Sequence, residues 1–126
     1  MLSQLVDVLS FMHNQDIVHR DLKLENVLLT SDFGIKLADF GFAKKLKKIT
    51  AAVDKNGQPS QSSSSQLLRS KKGTLTYMAP EIKLGRKYDG KQVDVFSLGV
   101  ILFIIVVGIF PFQQARADDY FYKLLL

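Results

Sequence analysis

Within eight consecutive residues, His19-Arg20-Asp21-Leu22-Lys23-Leu24-Glu25-Asn26, the chain places a carboxylate, an ammonium and an amide at fixed separations. Asp21 is suited to accept the hydrogen bond of a hydroxyl and to orient its oxygen for attack. Lys23, two residues on, can offset anionic charge that develops beside it. Asn26 offers an amide oxygen and Asp39 a carboxylate, both hard oxygen donors of the kind Mg²⁺ accepts while keeping other oxygens as ligands. Each pattern alone has an ordinary explanation: Asp-x-Lys as a solvated ion pair, and Asp39-Phe40-Gly41 as a turn in which Gly41 supplies a positive φ. The chain also carries Ala79-Pro80-Glu81 further on, so three short motifs follow one another in order, with strand-like residues on both sides of the first two. Their combination makes accidental recurrence very improbable.

These motifs resemble the catalytic loop, metal-binding turn and substrate-loop boundary of protein kinases. The resemblance covers nearly the whole chain apart from a loop insertion at 44–72, and it implies transfer of the ATP γ-phosphate to a protein hydroxyl, with Mg²⁺ as cofactor. Phosphoryl transfer asks little covalent chemistry of the protein, which supplies positioning and charge compensation. In that frame Asp21 is the catalytic base and Lys23 reaches the transferring phosphate. A lysine at that position implies Ser/Thr rather than Tyr specificity. Thr74, in Gly73-Thr74-Leu75-Thr76-Tyr77, matches the threonine whose hydroxyl bridges Asp21 and Lys23. The implied nucleotide-binding residues are Lys23, Glu25, Asn26, Leu28 and Asp39. Glu25 offers its carbonyl near the ribose, Leu28 lies beneath the adenine, and Asn26 and Asp39 share the metal ions. Ser70 falls where relatives carry an activating phosphate, and Arg20 is the cation such a phosphate engages. His19 and Phe40 match members of an internal hydrophobic spine, and the Asp94 carboxylate is expected to hold the catalytic-loop backbone.

The elements that must position these residues follow from periodicity. Leu2, Leu5, Val6, Leu9 and Met12 carry the spacing of an amphipathic helix over about residues 1–13. Short strands are expected at Ile17-Val18, Val27 to Thr30 and Ile35 to Ala38, the last two joined through Ser31-Asp32-Phe33-Gly34. A brief helical segment is expected around Pro80 to Leu84, and a helix from about Gln92 to Val107 with Gly108 as its C-cap. A last helix begins near Asp118. The fold class is α+β, a kinase-like large-lobe fragment, mainly helical with short strands around the catalytic loop. The apolar run Leu98 to Phe110 is 13 residues and ends at Pro111. That is short of the roughly 20 needed to span a bilayer, so it reads as a buried helix and no membrane span is expected. This helix and the Gly108 to Phe112 turn look most like the calcium/calmodulin-dependent group.

The 126 residues are one domain's worth of polypeptide, enough to bury a core. They contain no Gly-x-Gly-x-x-Gly loop and no Val-Ala-Ile-Lys strand. The resemblance is therefore to the middle of the large lobe, as a partial domain over 1–126, and this stretch alone is expected to be catalytically silent. A kinase-like regulatory or binding module is the alternative to an enzyme. Zero cysteines exclude disulfides and thiolate metal sites and are compatible with a reducing, intracellular and cytoplasmic setting.

Residues 44–72 hold eight cations against Asp54 alone, a net +7 in a chain whose total is +5. Gln58 to Gln66 is Gln/Pro/Ser-rich and is expected to be disordered. The segment is first of all a solvated loop, then a patch for an acidic partner or a phosphorylation region. Its lack of an aromatic residue for base stacking argues against nucleic acid.

Overall fold

The computed structural model describes residues 2–47 and 66–126; most of the Ser-rich stretch, including Ser62 to Ser65, lies outside them. Helix α1 spans Leu2–Asn14 and buries Leu5, Leu9 and Met12. The 4-then-3 spacing puts those three on one stripe, which leaves Leu2 and Val6 exposed. Strand β1 (Ile17–Val18) follows at once, and a 3₁₀ turn at Leu24–Asn26 leads into β2 (Val27–Leu29). Antiparallel pairing with β3 (Ile35–Leu37) matches Val27 to Leu37 and Leu29 to Ile35. The connecting turn places Phe33, not Gly34, at positive φ (60°).

Two-residue strands β4 (Lys44–Lys45) and β5 (Leu67–Leu68) flank the undescribed segment and were not anticipated from sequence. The first pairs with β1 and the second with β6 (Tyr88–Asp89), both antiparallel. The limbs of the basic insertion are thus built into the fold. Lys47 N donates to Gln66 Oε1 at 3.1 Å, closing the loop at its base.

Helix α2 (Pro80–Lys83) carries Pro80 in its first turn, where a missing N–H costs nothing. Helix α3 (Gly90–Val107) starts two residues earlier than the apolar pattern predicts, because Asp89 caps it by accepting from Lys91 N. It ends at Gly108, whose φ of 84° is the left-handed cap that glycine adopts without Cβ strain. Although α3 is long and apolar enough to cross a membrane, its first half is a core helix, burying Val93, Asp94, Ser97, Leu98, Val100 and Ile101. The expectation of burial all round fails along the helix, since Val95 is already exposed. Phe103, Val106 and Val107 are exposed, as are Ile109 and Phe110 beyond the cap. A short α4 (Tyr120–Lys123) is capped by Asp119, one residue later than expected.

Among the described residues the core is made of two apolar clusters. One joins Leu5, Leu9, Leu22, Tyr77, Leu98 and Ile101, and the other Val18, Leu68, Met78, Ile82, Tyr88 and Val93.

Candidate active site

The segment between β1 and the 3₁₀ turn has little regular hydrogen bonding of its own, so its shape must come from outside. Asp94, on the buried face of α3 and only 1% exposed, supplies it. Its Oδ2 accepts from His19 N at 2.8 Å and its Oδ1 from Arg20 N at 2.8 Å. The expected backbone-holding arrangement is present. His13 adds Nε2 at 3.0 Å from the same carboxylate. His13, in the last turn of α1, gives no signal in the sequence of this contact, whose partner is 81 residues away in the chain. Arg20 itself has φ 66°.

Beyond this anchor, Asp21 is 7% exposed and receives three donors. Thr74 N and Thr74 Oγ1 both donate to its Oδ1, at 2.7 and 2.8 Å. Lys23 Nζ lies 3.0 Å from its Oδ2 and donates to Thr74 Oγ1 at 3.2 Å. Burial pushes the Asp21 carboxyl up, but hydrogen bonds from Lys23 and Thr74 outweigh it and hold the carboxyl below its ordinary value. Hydrogen bonding to Asp21, set against partial burial, raises Lys23 in turn. Asp21 is thus an ionised acceptor at neutral pH, next to a lysine that stays charged. Gly73 makes the approach of Thr74 possible: its φ is 116°, and a Cβ there would lie 2.7 Å from the Arg20 carbonyl oxygen. A side chain at residue 73 would push the Thr74 strand off Asp21.

Asn26 is linked to Ala38, the residue before Asp39. Ala38 N donates to the Asn26 carbonyl at 2.8 Å, and the Ala38 carbonyl accepts from His19 Nε2 at 3.1 Å. That bond places the His19 proton on Nε2. Both polar atoms of the residue before Asp39 are thereby tied to the catalytic loop. Asn26 is buried and donates Nδ2 to the Asp21 carbonyl at 3.0 Å, so its amide oxygen is the atom left to meet a cation. Asp39 is exposed, with φ 58°, and accepts from Gly41 N at 3.2 Å. The left-handed residue of this turn is therefore Asp39, whereas the sequence points to Gly41. One amide oxygen and one accessible carboxylate fit Mg²⁺, which keeps waters and phosphate oxygens as its other ligands. Among the described residues no group of three His, Asp or Glu side chains forms a denser alternative.

The remaining sequence-predicted residues divide. His19 is fully buried with its ring 5.1 Å from that of Phe40, but Phe40 is half exposed and so is not the internal residue the resemblance implies. Leu28 stands half exposed on β2, outside the Asp21 cluster. Glu25 accepts from the Tyr77 hydroxyl at 3.0 Å. Burial and that bond push Tyr77 up to about 12. Tyr77, which the sequence reading passes over although it lies in the Thr74 motif, also accepts through its carbonyl from Ser97 Oγ at 2.9 Å. Ser70 meets Arg20: Nη1 donates to Ser70 Oγ at 2.9 Å, while Nε donates to the Phe42 carbonyl at 2.6 Å.

The sequence has counterparts among known proteins. The sequence model of the protein kinase domain family matches residues 1–125, and the chain belongs to that family. It is 44% identical over 110 residues to the serine/threonine-protein kinase kin-29 of Caenorhabditis briggsae, covering 87% of this chain and 12% of that protein. Identity to the human SNF-related serine/threonine-protein kinase is 44% over 121 residues, covering 93% of this chain and 13% of that protein. For mouse testis-specific serine/threonine-protein kinase 1 the values are 42% over 115 residues, 90% and 28%. The chain therefore spans between 12% and 28% of the length of these relatives.

Proposed function

We propose that this chain carries the catalytic loop, metal-binding turn and substrate-facing loop of a Ser/Thr protein kinase. The observation that carries the reading is Thr74 seated with Lys23 on the ionised Asp21. Asp21 accepts the proton-bearing hydroxyl of the protein substrate and orients its oxygen. Lys23, held on the opposite side of the carboxylate, faces the anionic group being transferred. Asn26 and Asp39 would hold Mg²⁺, which supplies neutralisation of phosphate charge when bound. Glu25 and Leu28 border the nucleotide. The contact of Arg20 with Ser70 supports Ser70 as a regulatory acceptor, since a phosphate there would meet a guanidinium already in place. The setting is intracellular, and the subgroup reading rests on α3 and the turn after it.

The test uses a protein that contains this chain together with a phosphate-covering glycine-rich segment. Asp39→Ala is expected to abolish Mg²⁺-dependent ATP binding, whereas Asp32→Ala, on the exposed β2–β3 turn, leaves it intact. Asp21→Asn is expected to abolish transfer to serine peptides with ATP binding retained. Equal losses for Asp39→Ala and Asp32→Ala would refute the assignment. The alternative reading is a regulatory or binding module. Retained partner binding by the Asp21→Asn variant, with no transfer by the parent, would establish it.

A further inference from the structure

Beside Thr74 runs an open groove of about 610 Å³, lined by Gly73, Leu75 and Met78 together with Lys71, Lys83 and Arg116. Among the described residues no carboxylate lines it. Arg116 is engaged at its rim by Asp118 at 2.9 Å, both side chains being solvent-exposed, where such a pair is weak and readily exchanged. Asp119, the acid whose charge acts on Lys83, is committed elsewhere. Its carboxylate accepts the backbone N–H groups of Gln113, Gln114 and Tyr122 at 2.9 to 3.0 Å.

Lys83 is the anomaly. Its Nζ is enclosed from solvent and has no hydrogen-bond partner among the described residues. An ammonium carries three donors, and enclosing them without an acceptor is unfavourable. Burial accordingly lowers its pKa, against a raising influence from Asp119. The position on α2 does not require a cation for the helix itself, since α2 is capped by backbone contacts alone. What the groove lacks is an anion, and the place for it adjoins the residue seated on Asp21.

Resting on the kinase reading above, we infer that this groove selects protein substrates with a glutamate or aspartate close to the phosphorylated residue, Lys71 and Arg116 framing the carboxylate and Lys83 turning its enclosed ammonium into the groove to receive it. Gly73 and Leu75 flank Thr74, so the groove adjoins the seat of the accepting hydroxyl and an extended substrate segment enters it within a few residues of that hydroxyl. A carboxylate supplies the acceptor that Lys83 lacks, and charge-assisted bonds of this kind are stronger than neutral ones.

The experiment measures binding of fluorescent serine peptides to the 126-residue chain by anisotropy, with a single glutamate moved through the three positions on either side of the serine and glutamine as its neutral match. At one or two positions Glu is expected to bind about tenfold tighter than Gln, the equivalent of about 1.4 kcal/mol. Lys83→Met removes that preference without lowering the melting temperature, because it deletes an enclosed unpaired cation; Lys83→Arg retains the preference. Arg116→Gln, an exposed substitution, reduces it in part and guards against a folding artefact at residue 83. Equal affinity for Glu and Gln at every position overturns the inference, as does a preference that survives Lys83→Met or an absence of binding by all peptides. Absence of Mg²⁺-dependent ATP binding by the unsubstituted longer protein counts against the kinase reading instead and leaves a charge-selective groove standing.

Discussion

Replacing Asp94 with alanine should unfold most of what the catalytic loop depends on. The carboxylate is 1% exposed and accepts two backbone N–H groups at 2.8 Å and His13 Nε2 at 3.0 Å. His19, whose amide is one of the donors, is fully buried. Water therefore does not readily take the place of the lost oxygen. An orphaned buried donor costs about 1–3 kcal/mol, and hydrogen bonds to a charged acceptor lie at the upper end. Two such amides, with the small void left by the side chain, sum to roughly 3–5 kcal/mol, the range found when one partner of a buried charged cluster is removed. Set against a typical total of about 5–15 kcal/mol, that is a large fraction. Asp94→Asn should fall between, because its single oxygen can serve one amide while its NH₂ opposes the other. Urea unfolding with linear extrapolation gives the global change. Amide exchange at His19 and Arg20 separates local opening from global loss. A destabilisation by Asp94→Ala below about 1 kcal/mol, or unaltered exchange at both amides, would refute the argument that this side chain sets the loop.

Two further outcomes follow from contacts around Thr74. Tyr77 titrates in the folded chain at about 12, above its ordinary 10.0, so the stability it contributes is present below pH 10 and is lost as pH rises toward 12; Glu25→Gln should bring the phenol back down, as ultraviolet titration of tyrosinate will read. Gly73→Ala forces a left-handed φ on a residue with a Cβ and drives that Cβ against the Arg20 carbonyl, so it should cost about 2 kcal/mol or more and lower transfer activity in the longer protein; a variant of unchanged stability and activity would mean the loop relaxes freely.

How much of this was legible in the sequence depended on the range of the interaction. Helix α1 and the β2–β3 hairpin could be read because a repeated period or a pair of apolar runs about turn residues is a local signal. The meeting of Asp21, Lys23 and Thr74 was expected only through motif resemblance, since no spacing rule joins residues 21 and 74. Strands β4, β5 and β6 are two residues each and contain no period, and β4 is made of two lysines that composition assigns to a solvated loop. The apolarity of α3 was plain, but composition records how apolar a helix is, not which side its neighbours cover. His13 and Lys83 were missed for the same reason: one lone histidine and one lone lysine acquire meaning only from residues far off in the chain.

The left-handed backbone at Arg20 has a consequence for how that residue can be dissected. Successive amides of His19 and Arg20 converge on one carboxylate because the chain curls at this point into a concave cradle of N–H groups, an anion nest made of main chain. The curl belongs to the position and not to arginine. Any L-residue placed there inherits a torsional cost of about 1–2 kcal/mol, which glycine escapes. Alanine thus deletes the guanidinium and keeps the torsion, whereas glycine deletes both, and the difference between the two separates what the main chain contributes at residue 20 from what the side chain contributes through Ser70 and Phe42.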